Sequence, residues 1–233
     1  MAPSPQYERL GPTAIKPHSA GSRDHNQFVK DPVAHFRAIP WTNALLSDPE
    51  VLNIVISDRN PLPSGESNLV RRVLNTGTTV RACVTFLKYS KPPPSDSSSQ
   101  PIPPLYQGGG PKDFEDPANP FLLFSALLDL GEDLQSYAGT MHGGLFVVLM
   151  DEVMGTAANF QSKHGAYTAS FTMNYKKPVA LPQVVVVRGR VVRKDGKRKI
   201  WVRGSIEDKD GAVLGEGEGL WIEMGRNIGR SQL

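Results

Sequence analysis

The chain reads as an α+β layer in which an antiparallel sheet wraps one long buried helix. Three observations predict it. Gly143-Gly144 opens into residues 145–150, an apolar run with no hydrophilic face, which as a helix must be buried nearly all round. Four strand-like stretches follow, at 166–176, 183–194, 198–207 and 212–223, rich in β-branched and aromatic residues. The dipeptides Asp195-Gly196 and Asp210-Gly211 mark hairpin turns between them.

Taken in order, residues 1–31 mix Pro, Gly, Ser and charge without periodicity and read as a disordered, loosely attached arm. Residues 32–119 form an N-terminal extension. It begins with a helical pair, 33–36 and 44–56, split by Pro40 and Pro49. A turn-rich break at 60–65 and a strand at 78–89 follow, then a long loop at 91–119 with three consecutive prolines, a Ser run and three consecutive glycines. The compact domain spans 120–224. Its first strand, 121–130, has strand length, although periodicity alone leaves helix open. The helix covers 143–161, and four strands then return as an antiparallel meander. Ile200, Val202 and Ile206 alternate with Trp201, Arg203 and Ser205, as in a sheet with one covered face. Residues 225–233 are a tail.

Composition bounds the function. Among 233 residues, 39% hydrophobic and 21% charged content is ordinary for a soluble globular protein. The net charge is +3, and the densest basic cluster, 188–199, falls on a hairpin. A solvated face is the expected reading there rather than nucleic-acid binding, with contact to the phosphates of a large anionic cofactor as the alternative. Cys83 is the single cysteine, so no internal disulfide or Cys-based metal site forms. It lies in an apolar strand and reads as an inert buried thiol. No stretch has the length of a membrane span, and the N-terminus lacks an apolar signal core.

The chemistry concentrates at the helix. Gly143-Gly144 leaves unsatisfied N–H groups at its start, suited to a carbonyl oxygen or an anion. Asp151 interrupts the apolar face, and a carboxylate kept from bulk water becomes a better base. Glu152, about 100° further round, is expected at solvent or at a dimer rim. His142 precedes the helix and is expected to fix the turn, and His164 reads as a loop residue. Gly217 and Gly219 beside Trp221 suggest a shaped pocket. No His/Cys/Asp/Glu cluster has metal-ligand spacing and no Gly-x-Ser-x-Gly elbow is present, so neither a metal nor a cofactor is expected.

His142-Gly143-Gly144 with Asp151 seven residues beyond, together with the block Thr168-Ala-Ser-Phe-Thr-Met-Asn-Tyr-Lys-Lys-Pro178, resembles the hotdog-fold acyl-CoA thioesterases. The likeness is to the PaaI-like branch of the 4-hydroxybenzoyl-CoA thioesterase superfamily and covers about residues 120–224. It implies that the Gly143 N–H polarises the thioester carbonyl, that Asp151 acts as general base or nucleophile, and that Thr168 orients the water. His142, Gly144, Glu152 and Ser136 would support or bind substrate. Some relatives place an Asn where this chain has Ser136, so that amide donor is missing.

The expected activity is hydrolysis of an acyl-CoA or acyl-carrier-protein thioester, in lipid or polyketide metabolism. Two alternatives stay open: a hydratase or dehydratase of the same fold, or a non-catalytic thioester-binding protein. The first is disfavoured because Phe121 stands where those enzymes carry a histidine five residues after an Asp, here Asp116. Gly143 and Asp151 are eight residues apart, roughly 12 Å along one helix axis. One chain therefore does not bring both to a single carbonyl, and a homodimer, or a dimer of dimers, with shared sites is expected. The expected location is cytoplasmic. Ser231-Gln232-Leu233 suggests a peroxisomal alternative, and family analogy a mitochondrial one.

Overall fold

The computed structural model describes residues 25–89, 122–162, 164–195 and 198–225. Its strands are β1 (Val51–Ile56), β2 (Val80–Tyr89), β3 (Leu122–Leu130), β4 (Gln135–Tyr137), β5 (Thr140–Met141), β6 (Ala166–Tyr175), β7 (Gln183–Asp195), β8 (Lys199–Glu207) and β9 (Val213–Glu223). Helices α1 (Pro32–Arg37) and α2 (Pro40–Leu46) precede β1, and α3 (Gly143–Phe160) follows β5. Seven strands make one antiparallel sheet in the order β1-β2-β3-β7-β8-β9-β6. The sheet curls around α3, which packs on β3, β6, β7, β8 and β9. This is the hotdog arrangement.

The helix buries one stripe rather than its whole circumference. Phe146, Leu149, Met150, Val153, Met154, Ala157 and Ala158 are buried, the i, i+3, i+4 pattern of a helix lying on a sheet. Leu145, Val147 and Val148 are only half-buried, which corrects the expectation of burial all round. Glycines let the helix rest on the strand backbones. A Cβ at Gly189 would lie 3.1 Å from the Met154 Cα, and one at Gly204 would lie 2.8 Å from the Met154 Sδ. Gly217 and Gly219 serve core rings rather than shape a pocket. Added Cβ atoms there would meet Phe171 at 2.8 Å and the Trp221 ring at 2.5 Å.

Three expectations about the extension change. Residues 51–56 are strand, not helix. Val-Leu-Asn-Ile-Val-Ile is β-rich, and its ladder with β2 (Ile54 opposite Phe86) outweighs helical propensity. Pro40 starts α2 at its first turn, where a missing N–H costs nothing. Because β1 and β2 belong to the main sheet, that sheet extends beyond the 120–224 span. Helices α1 and α2 cover its other face, where Phe36 and Leu46 pack with Ala82, Val84, Leu127 and Val186. Burying Phe36 contributes about 2 kcal/mol. Buried Asp129 on β3 accepts from Arg81 and pairs with His35 at 3.0 Å, tying α1 to the sheet.

The end of the expected arm is packed. Gln27 is buried and donates to the Ser57 carbonyl (2.8 Å) and the Cys83 carbonyl (2.9 Å), while the Cys83 N–H donates to its Oε1 at 2.6 Å. One amide side chain thus continues the β2 edge as a strand would. Cys83 itself is a buried free thiol. The proline-rich loop and the 116–121 segment lie outside the described residues, as does the C-terminal tripeptide.

The four-strand meander is a three-strand one, β7-β8-β9. Strand β6 crosses to the far edge and, among the described residues, pairs with β9 alone. The Asp210-Gly211 turn forms as expected. Gly211 has φ +73°, and Asp208 accepts from the Asp210 and Ala212 amides at 2.9 Å each. In the basic cluster, Arg188 pairs with Glu207 at 3.0 Å, Arg193 stacks 3.7 Å over Trp201, and Lys194 meets Glu223 at 3.6 Å. These cations are engaged within the sheet. No helix among the described residues is long and apolar enough to cross a membrane.

Candidate active site

The site is built where α3 meets the edge strand β6. At the helix start His142 is the N-cap. Its exposed ring accepts the Gly144 N–H at Nδ1 (2.9 Å), and its carbonyl accepts the Leu145 N–H at 2.9 Å. Its own N–H donates to the Leu134 carbonyl at 2.8 Å. His142 therefore fixes the turn, as expected. Gly144 is corrected: its N–H is occupied. Among the described residues nothing accepts the Gly143 N–H, which leaves one donor at the positive end of the helix.

Two turns on, the Thr168 hydroxyl donates to Asp151 Oδ1 at 2.7 Å. The structure thus joins two expected site residues within one chain. Asp151 is half-buried, not sealed from water as the apolar run suggested, because it faces the exposed edge strand rather than the sheet centre. Water reaches it.

Sequence reasoning missed Tyr175. Its Oη donates to the Gly143 carbonyl at 3.1 Å, and its ring stands edge-on to Phe146 with centroids 5.2 Å apart. Thr168 and Tyr175 are an odd number of residues apart, so a regular strand would turn them to opposite faces. A register shift between Thr168 and Ser170 supplies the extra residue that brings both to the helix side. The signal lay in the quoted Thr168–Pro178 block, but the bulge was not readable from it.

Glu152 is solvent-accessible, at the mouth of a cleft on the neighbouring face of α3 formed by Val148, Glu152 and Thr156. Its carboxyl titrates above the ordinary glutamate range. Crowding by the cleft walls is the main cause and the Asp151 charge the second, with Arg59 and Arg71 acting against them. Ser136 is exposed on β4, and no described contact links it to Asp151 or Thr168. His164 is half-buried in the loop before β6. Among the described residues, no three His, Cys, Asp or Glu side chains are grouped to hold a metal ion.

Residues 138–214 match the thioesterase superfamily, and that span contains Gly143, Asp151, Thr168 and Tyr175. Over that span the chain resembles the thioesterase superfamily. Similar proteins include the acyl-coenzyme A thioesterase THEM4 of Mus musculus, 35% identical over 100 residues, which are 42% of this chain and 42% of the relative. THEM4 of Bos taurus is 30% identical over 95 residues, 40% of this chain and 38% of the relative. The chain thus matches about two fifths of these relatives' length. Among solved structures, the E. coli PaaI protein aligns with 46% of this chain and 75% of its own, at 18% identity and a TM-score of 0.42. A Streptococcus mutans protein bound to acetyl CoA aligns with 46% and 84%, at 20% identity and a TM-score of 0.42.

Proposed function

We propose that the protein hydrolyses acyl-CoA thioesters to a free acid and CoA. The observation that carries this reading is the Thr168–Asp151 hydrogen bond, on the same helix as an unclaimed Gly143 N–H, inside a thioesterase-superfamily domain. The Gly143 N–H of one copy polarises the thioester carbonyl, and the helix dipole adds to it. Asp151 of the second copy takes a proton from a water that Thr168 helps to hold. The water oxygen bonds to the carbonyl carbon, the C–S bond breaks, and the thiolate leaves and is protonated. Direct attack by Asp151, followed by hydrolysis of the anhydride, gives the same products. The THEM4 relatives, named as acyl-CoA thioesterases, favour CoA over a carrier protein as the thiol half.

The dimer follows from the single-helix spacing of roughly 12 Å between Gly143 and Asp151. Strand β6 offers the edge for it, since among the described residues it pairs on one side only and exposes Tyr167, Thr168 and Ser170. For location we propose the cytoplasm. A tagged chain that redistributes on removal of Ser231-Gln232-Leu233 would instead support the peroxisome.

The test is an acyl-CoA panel with a thiol reagent. Release of free CoA supports hydrolysis. A change in enoyl absorbance without thiol would show hydration, and binding with neither would show a non-catalytic module.

A further inference from the structure

A cavity of about 420 Å³ lies between α3 and the extension, and Asp151 and Thr168 do not line it. Its walls are apolar, including Val55, Leu74, Val80, Leu128, Leu149 and Val153. Exposed Asp58, Ser67 and Glu152 mark its mouth. The volume is that of a small-molecule site.

One wall residue does not belong in an apolar cavity. Arg59 is 4% exposed. Its Nη1 donates to the Leu74 and Val80 carbonyls at 3.2 and 3.1 Å, which fixes the guanidinium in place. Its Nε is buried without a partner, and among the described residues no carboxylate comes within ion-pair distance of it. The neighbouring acid, Asp58, is 3.7 Å from Arg71 instead. The Glu152 carboxylate feels the Arg59 charge but is not in contact with it; a buried guanidinium without a contacting carboxylate is costly, and its planar fork matches one. Arg59 and Arg71 line the cavity together with Glu152, beside its apolar walls.

We propose that this cavity binds an apolar monocarboxylic acid, its carboxylate on Arg59 and its chain among the valines and leucines. The site stands on the Val148–Glu152–Thr156 face of α3, next to the Asp151 face, and does not depend on the hydrolytic reading. An acid of this class is also what thioester hydrolysis releases, so the cavity is suited to sensing or retaining product. A carboxylate there would lie close to Glu152, whose removal should tighten binding.

The test is calorimetric titration of the full chain with octanoate, octanol and octylammonium. Octanoate should bind at least tenfold more tightly than octanol, with octylammonium weakest. Arg59→Gln should erase the preference for octanoate. Ala126→Phe, which fills the cavity from β3, should weaken all three. Glu152→Gln should strengthen octanoate binding severalfold. Should Arg59→Gln fail to fold, the ligand order and the Ala126→Phe result decide. Octanol binding as tightly as octanoate, octanoate insensitive to Ala126→Phe, or no binding of any of the three would overturn the proposal.

Discussion

Thr168 on the edge strand donates a 2.7 Å hydrogen bond to Asp151 on the central helix, and both residues belong to one chain. On the proposed dimeric reading, a substrate at the Gly143 N–H, two turns away, would meet Asp151 of a second copy. From this follow predictions that separate chemistry from scaffolding.

Thr168→Ala should lower kcat about tenfold with little change in KM or melting temperature, as the water-orienting role proposed for this exposed strand-edge residue requires. Thr168→Ser should keep most of the rate. An effect confined to KM would take Thr168 out of the chemical step.

His142→Ala should act on stability. Loss of the N-cap acceptor leaves the Gly144 N–H unsatisfied and costs about 1 kcal/mol. That corresponds to a drop of roughly 2–4 °C in melting temperature for a domain of this size. A scan showing no change would mean that water replaces the ring.

Removing residues 1–30 should destabilise the protein, contrary to what the composition of that stretch suggests. Gln27→Leu alone leaves the Cys83 N–H and two carbonyls without partners, at a cost of about 1–3 kcal/mol or more. Denaturant midpoints of the deletion and of Gln27→Leu check this; wild-type values for both would show that the clamp contributes nothing.

Glu152→Gln should stabilise the fold at neutral pH. A carboxyl titrating higher in the folded than in the unfolded state gives stability below its unfolded pKa, about 4.3, that is lost as pH rises through the folded value. The variant should therefore melt above wild type at pH 7 and level with it below pH about 4. A difference independent of pH would point to packing instead.

These outcomes mark what the chain discloses. The helix was legible because Gly143-Gly144 and the apolar run that follows are local signals, and the strands after it because Asp210-Gly211 fixes a turn whatever surrounds it. The pairing of Gly143, Asp151 and Thr168 came from resemblance together with spacing. Strand β1 was not legible, since five apolar residues among six suit either period and only the β2 ladder decides. The path of β6 to the far edge, the bulge that aims Tyr175 at Gly143, and the burial of Gln27 and Arg59 all depend on partners distant in sequence. No window of residues contains them.

The shared site makes a stoichiometric prediction. Asp151→Asn and Gly143→Pro should each be inactive as pure dimers. Equal co-refolding should restore about a quarter of wild-type activity, because half the dimers are mixed and each holds one intact site. A dead mixture in which mass spectrometry finds heterodimers would place the catalytic pairing within one chain.

The most direct measurement of the central claim is the rate of CoA release by wild type and by Asp151→Asn at equal melting temperature on a reactive acyl-CoA. A general base of this kind contributes about 10²–10⁴-fold, so the variant should lose at least about 100-fold in kcat while keeping its fold. Turnover within a few-fold of wild type would contradict the assignment of Asp151.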